Sequence, residues 1–109
     1  MRDTANRRTS NRTYPLETKN ILINERLFIL NDISREGIGV RIETSSDFSL
    51  GQRIASISLE NHADAQPLAG IVNHMSQNDF GTVCGIRFEF RNSTEFDYVE
   101  KIRRELTIT

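Results

Sequence analysis

Gly37-Ile-Gly-Val-Arg-Ile-Glu43 alternates without a break: Ile38, Val40 and Ile42 share one face, and Gly39, Arg41 and Glu43 share the other. Apolar residues at every second position mark a β-strand with one face buried. Working outward, Arg26 to Ile33 and Leu16 to Ile23 are two further apolar-rich runs, and Asn24-Glu25 between them predicts a tight hairpin. Arg53 to Leu59 reads as a strand with Ala55, Ile57 and Leu59 on one face. Leu68 to Met75 and Thr82 to Phe90 form a last pair across Gln77-Asn78-Asp79, with Ile86, Phe88 and Phe90 inward and Arg87 and Glu89 outward.

The period changes at the end of the chain. Phe96, Val99, Ile102 and Leu106 recur at helical spacing on one face. Asn92, Ser93 and Thr94 are candidate N-caps, Glu95 and Asp97 suit the first turn, and Lys101, Arg103 and Arg104 suit the last. Six short strands and one amphipathic helix predict a mainly β fold: a closed six-stranded antiparallel barrel with a C-terminal α-helix packed on it. Closure removes the exposed edges that so small a domain would otherwise carry.

A chain of 109 residues holds one core. Its net charge of −1 hides an asymmetry. Residues 1–12 carry Arg2, Arg7, Arg8 and Arg12 against Asp3, a local +3, so the remainder balances at −4. That remainder lacks the extended basic footprint of a polyanion binder, whereas a short basic arm suits a small anion. No large apolar side chain follows Met1 before residue 13, so residues 1–13 are expected to form a flexible arm and 14–109 the barrel with its helix. Tyr14-Pro15 marks entry into the fold. No apolar run approaches the about 18 residues of a membrane span. The N-terminus has no signal-peptide pattern, so the expected location is the cytoplasm.

Catalysis has little support. His62 and His74 are the only histidines and lie in no recognised metal or nucleophile spacing. Cys84, the single cysteine, sits in an apolar run where a thiol acts as a small hydrophobe. There is no Gly-rich phosphate loop followed by Lys and Ser or Thr. The chain is read as a non-enzyme without metal or cofactor.

Two features point to binding. Arg8-Thr-Ser-Asn-Arg12 places two arginines four residues apart, directly after Arg7. Extended, that spacing spans about 13 Å, the scale of a dinucleotide. A guanidinium can grip a phosphate, or O6 and N7 of guanine, with two parallel hydrogen bonds. The second is Asp32-Ile-Ser-Arg-Glu-Gly37, between two strands. It can be a plain turn, in which Asp and Ser bond the backbone and Gly permits positive φ. It can also read a guanine: Asp32 accepting from N1–H and N2–H₂, Ser34 adding a small polar group, and Gly37 letting the backbone approach a flat base.

The order of these features resembles the PilZ domain family: Arg-x-x-x-Arg, about twenty residues, then (Asp/Asn)-x-Ser-x-x-Gly between strands. Gly85-Ile-Arg-Phe88 and the terminal helix are similar to that family's later part. The resemblance implies a six-stranded barrel that binds cyclic di-GMP, a bacterial second messenger, and signals to a downstream protein. It implies that Arg8 and Arg12 grip phosphates and guanine edges, and that Asp32, Ser34 and Gly37 read a guanine. It also implies that a long cationic residue such as Arg7 favours an intercalated pair of ligands; Asn73 and His74 are candidates to approach the second base, at a point where the sequence departs from the family's pattern. A monomer or weak dimer is expected. Two other readings stay open: a ligand-independent interaction adaptor on the same fold, and a single-stranded nucleic-acid binder. The latter calls for exposed aromatics along a basic groove, whereas the phenylalanines here fall mostly on inward positions.

Overall fold

The computed structural model describes residues 12–43, 47–59, 66–79 and 81–106. Arg7, Arg8 and His62 lie outside the described residues. Six strands follow in chain order: β1 Asn20–Ile23, β2 Arg26–Ile33, β3 Gly37–Ile42, β4 Arg53–Leu59, β5 Leu68–Asn78 and β6 Gly81–Phe88. One helix, α1 Ser93–Leu106, ends the described chain. The strands close a barrel in the order β1-β2-β3-β6-β5-β4, every neighbouring pair antiparallel. Mainly β with a C-terminal helix, the architecture is the one expected.

Local chemistry sets the turns. Asn24 and Glu25 both take positive φ, 51° and 72°, as a two-residue hairpin matched to strand twist requires. The β5–β6 turn is shifted from its expected place. β5 runs on to Asn78, which pairs with Gly81, so the turn begins after Asn78 rather than at Gln77, and Gly81 takes φ 121°. At the other end, β6 ends at Phe88 rather than Phe90, with one further backbone bond from the Glu89 amide to the Ala69 carbonyl (2.8 Å).

Two expectations for the strands need correction. Leu16 to Lys19 is not strand: the Leu16 amide donates to the Leu106 carbonyl at the end of α1, and the Leu16 side chain is exposed. The β1–β2 ladder begins only at Asn20, opposite Ile29. In β4, Ala55 is exposed while Ile54, Ile57 and Leu59 are buried. A register shift between Ile54 and Ile57 inserts an extra residue and resets the alternation.

Inward side chains form one core, with Ile23, Val40, Ile54, Ile57, Val72 and Ile86 almost wholly buried. α1 adds Val99, Ile102 and Leu106 to that core, each burial stabilising by about 1.5–3 kcal/mol. Phe96, expected on the same face, is half-buried and meets Phe90 edge-on at 5.5 Å. Glu95 takes the deeper position instead. The Asn92 side chain accepts from the Glu95 amide (3.0 Å), and the Glu95 carboxylate accepts from the Arg91 amide (2.9 Å) and from Arg91 Nε (2.8 Å). This variant of the capping box fixes the start of α1. Burial pushes the Glu95 carboxyl up, but hydrogen bonds and charge from Arg91 outweigh it and hold it below its ordinary value. No helix among the described residues is long and apolar enough to cross a membrane.

Candidate ligand-binding site

The segment 32–37 is a hairpin turn joining β2 to β3. The Ser34 amide donates to the Gly37 carbonyl (2.8 Å), and Ser34 Oγ accepts from the Glu36 amide (3.2 Å). A Cβ on Gly37 would strike the backbone carbonyl of Ile86, so glycine there lets β3 lie close against β6. Thr13 and Ile33 exchange backbone hydrogen bonds of 2.7 and 2.9 Å, which ties the root of the N-terminal segment to the end of β2.

A bulge gives Asp32 its direction. Leu30 pairs with Val40 and Ile33 with Ile38, all four inward, yet two residues lie between Leu30 and Ile33 on β2 and only one between Val40 and Ile38 on β3. The extra residue sends both Asn31 and Asp32 outward, where strict alternation would have put Asp32 in the core. Asp32 is nevertheless only 4% exposed. It pairs with Gly39, and a Cβ on Gly39 would lie 2.6 Å from Asp32 Oδ2, so the carboxylate occupies the space that a side chain there would fill. Arg12 covers it from outside, donating from Nη1 to Oδ1. Asn31 Nδ2 donates to Oδ2 (2.7 Å), and Asn31 Oδ1 accepts from Arg41 Nε (3.4 Å). Asp32 therefore anchors the half-exposed Arg12 side chain, and Asn31 steadies Asp32.

A second bulge lies opposite. Val72 pairs with Ile86 and Met75 with Cys84, so the extra residue in β5 turns both Asn73 and His74 outward. His74 pairs with Gly85, and Gly85 pairs with Gly39 across β3 and β6. Asp32, Gly39, Gly85 and His74 thus form one row across four strands, two bulged polar residues flanking two glycines.

Arg12, Ser34, Glu36, Gly37, Asn73, His74, Gly85 and Arg87 line a recess of about 110 Å³ beside this row. It is below the about 300–1,000 Å³ of a site that encloses a drug-sized ligand. Two cationic side chains, Arg12 and Arg87, face one anionic side chain, Glu36. A larger cavity of about 960 Å³ over β1 to β3 is lined by Arg26, Leu27, Arg41 and Asp47 and holds none of the sequence-predicted site residues. The recess is the better candidate because it gathers them.

Of the predicted residues, Arg12, Ser34 and Gly37 line the recess and Asp32 stands behind Arg12. Asn73 and His74 are there too. Gly39, Gly85, Asn31, Glu36 and Arg87 were not foreseen. The glycines had a signal, since glycine inside a strand often marks a close approach. Cys84 is fully buried, and burial pushes its thiol up to about 11, which leaves it unreactive at neutral pH. Among the described residues no three His, Cys, Asp or Glu side chains gather as metal ligands would.

No family model and no curated protein matches the chain at the level of sequence. Solved structures match its fold. The "PilZ domain with c-di-GMP of YcgR from Escherichia coli" superposes with a TM-score of 0.70 at 18% identity, over 92% of this chain and 91% of that one. The fold is that of a PilZ domain. The longer Escherichia coli YcgR in complex with c-di-GMP gives a TM-score of 0.70 at 19% identity over 92% of this chain. The Bacillus subtilis inhibitor of motility MotI/DgrA gives 0.67 at 16% identity over 94%. The present chain spans about half of each of these two proteins, 46% and 53%.

Proposed function

We propose that this PilZ-fold chain is a non-catalytic receptor for cyclic di-GMP, bound at the recess between the β2–β3 turn and His74. The observation that carries the reading is the convergence of Arg12, Ser34 and Gly37 on one recess of this fold, with Arg12 held there by Asp32. The two YcgR structures of similar fold are complexes with c-di-GMP, which supports the same ligand class here.

In this scheme the ligand brings two phosphates and two guanines. Arg12 offers a guanidinium already oriented by Asp32, so little freedom is lost when it meets an anion. Ser34 and Gly37 shape the adjoining backbone. Because the recess is small, the rest of the site comes from the segment before Arg12, with Arg7 and Arg8 closing over the ligand and favouring an intercalated pair. Ordering that segment costs about 2–5 kcal/mol, which lowers affinity and turns binding into a conformational signal for a downstream protein.

The adaptor reading draws on one observation, the exposed apolar side chains Tyr14, Leu16, Leu27 and Ile29. Calorimetric titration separates the two. The receptor reading expects saturable heat with cyclic di-GMP that Arg8→Ala, Arg12→Ala and Asp32→Ala each abolish or severely weaken. Binding that survives all three substitutions removes the site, and absence of binding by the unaltered chain leaves the adaptor.

A further inference from the structure

We infer that the outer half of β5 is an open strand edge that pairs with the same edge of a second copy of this chain; the inference is independent of the receptor reading. Closure of the barrel, expected to remove free edges, uses only the first half of this strand. β4 pairs with β5 at Leu68, Gly70 and Ile71. The last backbone contact on that side is Val72, whose amide donates to the Gln52 carbonyl and whose carbonyl accepts from the Gly51 amide, both at 2.9 Å. β6 accompanies β5 further, to Asn78. The alternation of an antiparallel ladder fixes which groups are left over. Asn78 closes the hairpin opposite Gly81, so its amide and carbonyl turn towards β6, as do those of Ser76. Those of Met75 and Gln77 turn the other way, and among the described residues no backbone group meets them.

Free edges are normally guarded by lysine, proline or an inward charge. Met75-Ser-Gln-Asn78 has none of these. At the inner end of the edge stands Leu50, next to Gly51 and, at 67% exposed, the most open large apolar side chain among the described residues. A second copy fits this edge better than a foreign strand. In an antiparallel pairing about a two-fold axis through Ser76, Met75 of one copy lies opposite Gln77 of the other, and each such pair exchanges amide and carbonyl. Each copy brings the open amides and carbonyls of Met75 and Gln77, and this register satisfies all of them. The facing residues are uncharged, so the copies do not repel, and Ser76, exposed and small, can meet itself on the axis. A peptide strand is selected by pockets for its alternate side chains, whereas this register needs only the strand itself. The strip falls well short of the about 1,600 Å² of a standard interface, so the dimer is weak and forms at high concentration.

The test is sedimentation velocity of the full chain, without ligand, from micromolar to millimolar concentration, the folding of each variant being checked by circular dichroism. The unaltered chain should move from monomer towards dimer, and amide exchange at Met75 and Gln77 should slow as it does so. Gln77→Pro removes an edge amide and leaves the β5–β6 ladder its bonds, so it should remain monomeric. Gln77→Ala keeps that amide and should self-associate like the unaltered chain. Ser76→Lys and Ser76→Glu each set like charges face to face on the axis and should weaken self-association about 5-fold at low salt. An equimolar mixture of the two should recover it in mixed pairs. Ser76 is exposed, so neither variant disturbs the core, and this pair decides the question if Gln77→Pro does not fold. A chain that is monomeric at millimolar concentration overturns the inference. So do a dimer that survives Gln77→Pro and a charge effect that the mixture fails to rescue. Met75 and Gln77 amides already protected at micromolar concentration would mean an edge closed within one copy, and would overturn it as well.

Discussion

Substituting Gly39 by alanine should disturb a carboxylate on the neighbouring strand. The new methyl would lie 2.6 Å from Asp32 Oδ2 and 3.1 Å from its Cγ, too close for either to stay. Reduced freedom of the unfolded chain would by itself favour alanine by about 0.4–1 kcal/mol. Against that stands overpacking of a buried position, about 1–3 kcal/mol. The displaced carboxylate also loses its 2.7 Å bond from Asn31 and its hold on Arg12. The balance is a destabilisation of about 1–2 kcal/mol. In a domain of this size that lowers Tm by about 4–8 °C per kcal/mol. The sharper outcome is a coupling. In an Asp32→Ala background no oxygen opposes the methyl, so Gly39→Ala should become neutral or mildly stabilising. Urea denaturation of the four proteins should give a coupling energy of at least about 1 kcal/mol between the two positions. Simple additivity would refute the claim that Gly39 exists to house Asp32.

Other outcomes follow from the same geometry. Asn31→Ala removes one bond to the buried carboxylate and should cost about 1 kcal/mol of stability by urea denaturation; it should also weaken cyclic di-GMP binding less than Arg12→Ala does, and an effect equal to that of Arg12→Ala would contradict an indirect role. Glu95 has a folded-state pKa held below its ordinary 4.5, so the stability it adds is present above that value and is lost as pH falls through the folded one. Chemical denaturation between neutral pH and pH 3 should therefore show a shallower acid loss for Glu95→Gln than for the unaltered chain. Glu25, at φ 72° in the hairpin, holds a conformation that glycine adopts freely, so Glu25→Gly should raise stability by about 1 kcal/mol on thermal melting.

The barrel was legible because most of its strands announce their period. Gly37 to Ile42 alternates cleanly, Asn24-Glu25 names its own turn, and Val99, Ile102 and Leu106 mark the helix. The bulges were not legible. Period two assigns faces correctly only until an extra residue enters a ladder, and nothing in Ile54-Ala-Ser-Ile57 or Leu30-Asn-Asp-Ile33 states where that residue sits. Hence Ala55 was placed inside, and the outward turn of Asp32 and His74 could not be derived. Leu16 to Lys19 failed for a related reason. Leu16 leads into the apolar run Ile21 to Ile23 and so suggests a strand, while its amide bonds the carbonyl of Leu106 at the end of α1, ninety residues away in sequence. The candidate site was half legible: the residue types at Arg12, Asp32, Ser34 and Gly37 could be read, but the glycines that make room for their neighbours needed the cross-strand register.

The central claim, that cyclic di-GMP occupies the recess between the β2–β3 turn and His74, is tested most directly by an amide ¹H–¹⁵N titration of the labelled chain. The account predicts saturable shifts concentrated at Arg12, Ser34, Gly37, Asn73, His74, Gly85 and Arg87, with the cavity around Arg26 and Asp47 unmoved. Shifts confined to that other cavity, or none at ligand concentrations well above those of the protein, would contradict it.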